Sequence, residues 1–327
     1  MDLFKNTNLQ FVKNRYIAYT FSVLFILVSL GGIIVKGLNW SIDFSSGVAT
    51  QINLKAKDSS VKDVSIDQLR TVLTNKGFPE AQIQYVGDED NSTFMIKIRS
   101  LDKSEDTSNA TSKALLALIK ESFPQHIAGR DIEKEVVLET NVVGPKVGGE
   151  LRTQALLAVL VSLVLMIIYI WFRFEFIFGL MAIVALFHDV FIILGVFAIT
   201  GREVSVQIIA ALLTIVGYSI NDTIVVFDRI REDMKANRKA DYHEVFNTAI
   251  NRTLSRTVIT AGTTLITALA LLFFGGSVIH DFALAITLGL FFGTYSSIFV
   301  ASNLVVETFH MTHKEKDAIS HLTKKKK

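Results

Sequence analysis

Cysteine is absent from the 327-residue sequence, and proline is scarce, with 3 residues. The absence of cysteine excludes disulfide bridges, thiolate catalysis and cysteine-ligated metal sites. The formal net charge of +2 is too small to indicate a nucleic-acid partner, and the sequence has no zinc-knuckle or RNP signature. We therefore expect neither nucleic acid, nor a metal, nor a cofactor.

What the chain has instead is apolar sequence. Half of its residues are hydrophobic, with a mean hydropathy of +0.42, which is too apolar for an ordinary soluble chain. Segments near the ~20 apolar residues that span a bilayer occur six times. They are Tyr16–Val35, Ala155–Phe172, Phe176–Thr200, Val204–Phe227, Val258–Phe274 and Phe282–Val306. The first run is longer than a signal-peptide core and lacks a convincing cleavage site, so we interpret it as a retained helix.

The region between the first two runs has the pattern of a small α+β domain. Alternation predicts a first strand at Val48–Leu54, and Ser65 and Gly77 delimit a helix. The remaining predicted elements are strands at Gln82–Val86 and Phe94–Arg99, a helix at Ala110–Phe123 and a strand at Glu135–Val142. The order β-α-β-β-α-β is the ferredoxin-like arrangement. His126 stands alone in a loop, so we expect a binding or docking module without a catalytic site.

The distribution of lysine and arginine predicts the orientation, because these residues concentrate in cytoplasmic loops. We expect both termini in the cytoplasm and the domain outside. The predicted organisation is a cytoplasmic N-terminus over 1–15, a first span over 16–36, a periplasmic domain over 37–149, five spans over 150–308 with a cytoplasmic loop over 228–256, and a basic tail over 309–327. Within the loop, apolar residues at helical spacing predict an amphipathic helix. Two placements of this helix stay open: at the membrane interface, or across the inner mouth of the bundle.

A carboxylate interrupts the fourth apolar run. Asp222 lies in a segment where a charge costs roughly 3 kcal/mol on insertion scales. Helical spacing places Thr214, Tyr218 and Arg229 on the same face, and that face should look into protein. Two interpretations stay open: ion or proton movement, and a structural polar group that ties helices together.

Other polar residues at membrane depth extend this set. His188 and Asp189 fall near the middle of the third span, and Arg256 begins the fifth span ahead of Thr260 and further threonines. A carboxylate, a counter-charge and a row of hydroxyls are what a proton relay needs, although threonine rows also serve helix packing. Gly289 and Gly293 form a small-xxx-small pair, which we interpret as packing.

Several stretches resemble the SecF family of bacterial protein-export membrane subunits. The stretch GYSINDTIVVFDRIRE carries the signature residues Tyr218, Asn221, Asp222, Asp228 and Arg229. The stretches NRTLSRTVITAGTTL, FGGSVIHDFALAITLG, GTYSSIFVAS, HDV and VGPKVGGEL are also similar to the family. One departure is the segment after the first span, where Ser41 and Ser46 replace glycines of the usual family pattern and reduce backbone freedom.

The resemblance implies a fold and a function. It implies an α-helical polytopic membrane protein of six transmembrane helices, an RND-like half bundle with an inserted ferredoxin-like periplasmic domain. Such a subunit acts with SecD in the bacterial cytoplasmic (inner) membrane, uses the proton-motive force in late steps of preprotein export, and performs no covalent chemistry. The family's transmembrane Asp and Arg correspond to Asp222 and Arg256. The implied partners are SecD, the SecY-SecE-SecG channel, YidC, YajC and unfolded preprotein.

Three alternatives remain beside this interpretation. An RND-type exporter of small molecules or lipids would need larger external domains than the single one over 37–149. An intramembrane aspartyl protease would need Asp189 and Asp222 to share a proton, yet Arg256 is available to keep one of them ionised. A purely structural role would stabilise the partner without proton movement.

Overall fold

A computed structural model describes residues 7–58, 60–87, 89–99, 105–237 and 240–310. The predicted basic tail from residue 311 onward, and Arg238 and Lys239 of the predicted loop, lie outside these residues. In chain order the helices are α1 Arg15–Lys36, α2 Ile42–Ser45, α3 Ile66–Asn75, α4 Glu105–Ser122, α5 Pro124–Ile127, α6 Pro145–Arg173, α7 Phe176–Thr200, α8 Val206–Ala236, α9 Tyr242–Phe274 and α10 Gly276–Tyr295. The strands are β1 Asn39–Trp40, β2 Gly47–Asn53, β3 Gln82–Tyr85, β4 Thr93–Arg99, β5 Val137–Val143 and β6 Glu203–Val204.

Six of these helices are long and apolar enough to cross a membrane. They are α1, α6, α7, α8, α9 and the continuous run Gly276–His310 that α10 begins. The apolar stretches of α7 and α8 are about half buried, whereas only 6% of that of α6 is buried. The centre of the bundle is therefore α7, α8 and α10, and α6 lies at its periphery.

The inserted domain, residues 47–143, contains one four-stranded sheet. Its order is β3-β4-β2-β5, and all three strand pairs are antiparallel. With α3 and α4 in their predicted places along the chain, this is the split β-α-β arrangement. Its core contains Leu69 of α3, Leu115 of α4 and Phe94 of β4, each fully buried. The expected six-helix membrane fold with a ferredoxin-like insertion is confirmed.

Local signals explain where several helices begin and end. Ser65 and Gln68 form a reciprocal capping box at the start of α3, which satisfies two backbone N–H groups that have no partner inside the helix. Gly201 ends α7 in the left-handed conformation, with φ at 70°, where glycine has no Cβ to clash. Ser205 then caps α8 by accepting from the Ile208 N–H.

One end of the bundle is closed by the chain's own N-terminal segment. Phe11 and Val12 are buried in the main apolar core, and Phe11 packs edge-on against Phe299. The side chain of Asn251 exchanges two hydrogen bonds with the backbone of Leu9, at 3.0 and 2.9 Å. This segment is therefore fixed along α9, an arrangement that the sequence analysis did not predict.

The region predicted as a loop over 228–256 differs in the structure. α8 continues to Ala236 and α9 begins at Tyr242, so only residues 237–241 connect them. The amphipathic stretch is the first part of α9, and its apolar residues Val245, Phe246, Ala249 and Ile250 are buried. Of the two placements left open, the structure has the one that covers the end of the bundle, since Phe246, Ala249 and Ile250 join its main core.

Candidate functional site

The most buried carboxylate of the bundle is that of Asp189, in the middle of α7. Its side chain is 1% exposed. Its Oδ2 accepts hydrogen bonds from Ser219 of α8, at 2.8 Å, and from Ser296, at 2.7 Å. Its Oδ1 lies 3.0 Å from His188 Nδ1. Buried polar groups are stable when they are hydrogen-bonded, and this set joins α7, α8 and the helical run after α10.

A π-helical turn over Ser296–Ala301 brings two serines into this cluster. Turns of this type are inserted in α-helices, often at functional sites. Ser297 Oγ lies 2.8 Å from Thr223 Oγ1 of α8 and donates to the Gly293 carbonyl at 2.9 Å. Three helical segments thus contribute to one buried polar cluster, which consists of His188, Asp189, Ser219, Thr223, Ser296 and Ser297.

The predicted small-residue pair lies where α10 meets α8. A Cβ added to Gly289 would lie 2.4 Å from side-chain atoms of Ile215. A Cβ on Gly293 would lie 3.1 Å from Ser219 Cβ and 3.6 Å from Asp189 Oδ2. The two glycines therefore allow the close contact that brings Ser219 to Asp189.

Asp222 is also buried, at 3% exposure, but its surroundings differ from those of Asp189. Its Oδ2 atom has no hydrogen-bond partner within the described part of the chain, and neither has the buried hydroxyl of Tyr218, one turn earlier. Asn221 and Thr214 of the same helix are exposed. The face that the sequence predicted to look into protein is thus only half covered by this chain.

Arg256 and Thr260 lie on the exposed side of α9. The Arg256 guanidinium interacts electrostatically with Asp222, but the two form no ion pair among the described residues. The expected row of hydroxyls is present, yet each donates to a carbonyl of its own helix, as Thr260 does to that of Arg256 at 2.9 Å. The others are Thr263, Thr264 and Thr267. The row therefore lines a surface and is not a hydrogen-bonded chain.

The other signature residues have contacts of a different kind. Asp228 pairs with Arg173 of α6 at 2.5 Å. Arg229, which sequence spacing placed on the face of Asp222, instead pairs with Asp233 at 3.2 Å. Asp233 also binds Arg252 of α9 at 2.9 Å. The pairs with Arg173 and Arg252 therefore connect the end of α8 to α6 and α9.

Sequence reasoning named Asp189 and His188 but missed the donors that hold them. Ser219, Ser296 and Ser297 are common residue types, and only the inward turn after α10 and the contact of three helices bring them together. The runs GYSIND and GTYSS that contain these serines were the available signal. Within the described residues, no group of three His, Asp or Glu side chains is arranged to hold a metal ion.

Comparisons with known proteins agree on one family. Residues 126–311 match the family described as "Protein export membrane protein SecD/SecF, C-terminal". The chain is 41% identical to the protein translocase subunit SecF of Rhodothermus marinus, over 94% of this chain and 95% of that protein. It is 45% identical to the translocase subunit SecDF of Thermus thermophilus, over 89% of this chain and 37% of that longer protein.

Solved structures give the same result. The fold matches the crystal structure of the translocon-associated membrane protein SecDF from Thermus with a TM-score of 0.77 and 43% sequence identity. The match covers 95% of this chain and 40% of SecDF. A second structure, SecDF in a super-membrane-facing form, matches with a TM-score of 0.68 and 41% identity, over 97% of this chain and 40% of that one.

Proposed function

The chain belongs to the SecD/SecF family of protein-export membrane proteins, as a SecF-type translocase subunit, and on this premise we propose that it couples the proton-motive force to late steps of preprotein export. The proposed role includes no covalent chemistry. The observation that carries it is Asp222: a buried carboxylate at membrane depth, with an oxygen that has no partner among the described residues. A charge in such a place marks ion or proton pathways.

In this proposal Asp222 is the group that takes up and releases the proton. Arg256 supplies the counter-charge that acts on it, and the proposed proton path includes Thr260 and Tyr218. Asp189 already has three hydrogen-bond partners, so it and His188 are assigned a supporting part, that of keeping α8 in register with α7. Each charge that crosses 100 mV releases roughly 2.3 kcal/mol, which is enough to shift a two-state equilibrium of the domain by about 50-fold.

The orientation follows from the charges at the two ends of the bundle. One end is rich in arginine, and the α+β domain attaches at the other, where Glu203 of β6 pairs with Lys97 of the domain. Because positive residues concentrate on the cytoplasmic side, both termini are assigned to the cytoplasm of the inner membrane and the domain to the periplasm. The arginines of the first end are Arg15, Arg173, Arg229, Arg231 and Arg252.

SecD is the proposed partner, and the exposed polar face of α8 and α9 is the proposed contact surface. The chain matches only 40% of the fused SecDF protein, so a homologous partner would supply the rest. Small and polar residues at membrane depth favour close helix contact over exposure to lipid. The surface consists of Gln207, Ala210, Thr214, Gly217, Asn221, Arg256, Thr260, Thr263 and Thr267.

Family membership also supports the wider set of partners. These are the SecY-SecE-SecG channel, YidC and YajC in the membrane, and unfolded preprotein for the periplasmic domain.

Reconstitution tests the proposal. The chain and a SecD homologue are placed with the channel in vesicles that lack their own copies, and preprotein transport is measured with and without a proton gradient. We expect the pair to increase transport only when the gradient is present. The chain without SecD should give no increase, and Thr263→Trp, on the contact surface, should reduce co-purification with SecD more than Leu160→Trp on peripheral α6. An equal increase without a gradient would contradict the proposal.

A further inference from the structure

The segment between α1 and the domain crosses the outer end of the bundle. Its strand β1 pairs in parallel with β6, in the turn that joins α7 to α8, with Trp40 opposite Val204. The pairing continues with a hydrogen bond from the Ser41 N–H to the Val204 carbonyl, at 3.1 Å. Asn39 also donates to the carbonyl of Gly201 at 2.9 Å. The segment is therefore fixed to the turn that precedes α8.

Asp43 makes the contact with α8 itself. Its Oδ2 accepts a hydrogen bond from the backbone N–H of Val206, the first residue of α8, at 3.2 Å. The first N–H groups of a helix have no partner inside it, and the positive end of the helix dipole attracts a carboxylate. The helix's own cap, Ser205, accepts instead from Ile208. Asp43 thus supplies a second cap from a distant part of the sequence.

The same segment is attached to the domain. Arg99 of β4 donates to the Trp40 carbonyl and to the Asn39 side chain. The backbone N of Ser46, which precedes β2, lies 3.3 Å from the position of a Cβ on Gly148 of α6, so only a glycine fits there without displacement. Asp43 therefore lies between α8 on one side and the domain and α6 on the other.

α8 carries Asp222 sixteen residues after Val206, which at 1.5 Å per residue is about 24 Å along the helix axis. We propose that Asp43 is a positioning residue that couples α8 to the periplasmic domain, so that a displacement of α8 at Asp222 moves the domain. The coupling acts through the hydrogen bond to Val206 N–H and not through a proton on Asp43. This inference rests on the proposed function, because it presumes that Asp222 drives α8.

Substitutions at Asp43 test the coupling in the reconstituted complex with SecD. Gradient-dependent export is the difference between preprotein transport with and without the proton gradient, per amount of complex. Asp43→Ala removes the acceptor and should lower gradient-dependent export several-fold while transport without the gradient is unchanged. Asp43→Asn keeps an acceptor and should retain most of it, since Asn caps helices about as well as Asp. Ser65→Ala, which removes a cap of α3 inside the domain, is the matched control and should have no effect.

A covalent link gives a second readout. The chain has no cysteine, so a Trp40→Cys/Val204→Cys pair forms the single possible disulfide and joins the segment to the turn before α8. In the Asp43→Ala background, oxidation of this pair should restore gradient-dependent export, and reduction should remove it again. A structural defect alone would not respond to oxidation in this way.

Full gradient-dependent export by Asp43→Ala would overturn the coupling, and so would a loss of transport that is equally large with and without the gradient. Loss in Asp43→Asn as severe as in Asp43→Ala would also overturn it, because it would point to titration of Asp43. Asp222→Asn, measured in parallel, separates the two proposals. If Asp222→Asn keeps full gradient-dependent export, the proposed function fails. If Asp43→Ala keeps it while Asp222→Asn loses it, the proposed function stands and only the coupling through Asp43 fails.

Discussion

Ser219 of α8 donates a hydrogen bond to the Asp189 carboxylate of α7 over 2.8 Å, in a part of the bundle where both side chains are about 1% exposed. This contact and the parallel one from Ser296 join Asp189 of α7 to the two neighbouring helices, and Ser297 adds hydrogen bonds between those two helices. Asp189 is therefore held, whereas Asp222, one turn along α8 from Ser219, keeps an oxygen that none of the described residues binds.

Removal of the Ser219 hydroxyl should destabilise the bundle. Ser219→Ala leaves Asp189 Oδ2 with one donor instead of two, and the loss of one partner of a buried hydrogen-bonding group costs about 1–3 kcal/mol. The measurement is the midpoint of thermal unfolding in detergent. Thr20→Ala is the control, because this exposed hydroxyl donates only to the Tyr16 carbonyl of its own helix. Equal midpoints for the two variants would contradict the assignment.

Contact between α10 and α8 should depend on Gly289. In Gly289→Ala the new methyl group would lie 2.4 Å from Ile215 side-chain atoms, so either Ile215 or the helices must move, at a cost of about 1–3 kcal/mol. Gly262→Ala is the matched control within a membrane helix, since a Cβ there meets no atom within 4 Å. Thermal unfolding and yield of folded protein provide the readouts, and a tolerated Gly289→Ala would refute the close packing.

Ser46 holds a conformation that favours glycine. Its φ of 64° lies in the left-handed region, where a non-glycine residue stores about 1–3 kcal/mol of strain. Ser46→Gly should therefore raise the midpoint of thermal unfolding. The net gain in the free energy of unfolding is up to ~1 kcal/mol, because glycine also makes the unfolded chain more flexible. Ser45→Gly, in the adjoining helical turn α2, should lower it. The reverse order would show that the Ser46 side chain, not its backbone, matters.

Orientation can be measured with single cysteines, because the chain has none of its own. Thr74→Cys lies on an exposed part of α3, and Asn237→Cys lies in the exposed connection between α8 and α9. In intact spheroplasts, a membrane-impermeant maleimide should label Thr74→Cys, and it should label Asn237→Cys only after lysis. Labelling of Asn237→Cys in intact cells would reverse the assigned topology.

Much of the fold could be predicted from the sequence because its signals are local. The six spans follow from runs of apolar residues, and the Ser65 capping box that starts α3 is visible as a spacing of residue types. Strand alternation gave the domain's element order, and with it the ferredoxin-like class. The connection between the fourth and fifth spans was expected over 228–256, with an amphipathic helix inside it; in the structure it is limited to 237–241, because α8 and α9 continue beyond their apolar parts with ion pairs such as Arg252–Asp233.

The missing parts of the site depend on contacts between distant residues. Burial of Phe11 at the end of the bundle, and the cap that Asp43 gives to α8, have no signature in local spacing. The sequence identified the charged members at membrane depth, Asp222, Asp189 and Arg256, because each is costly there. It could not show that Asp189 is fully bonded while Arg256 and Thr260 line an exposed surface.

Asp222→Asn is the measurement that tests the central claim most directly. The substitution keeps the size of the side chain and most of its hydrogen bonding but removes its titration. Asp222→Glu keeps the carboxylate and should retain part of the activity, and Arg256→Ala should impair export by removing the counter-charge. In the reconstituted complex, normalised to its abundance, Asp222→Asn should assemble with SecD, transport preprotein without a gradient as the unmodified protein does, and lose the increase that the gradient gives. Full gradient-dependent export by Asp222→Asn would contradict the account.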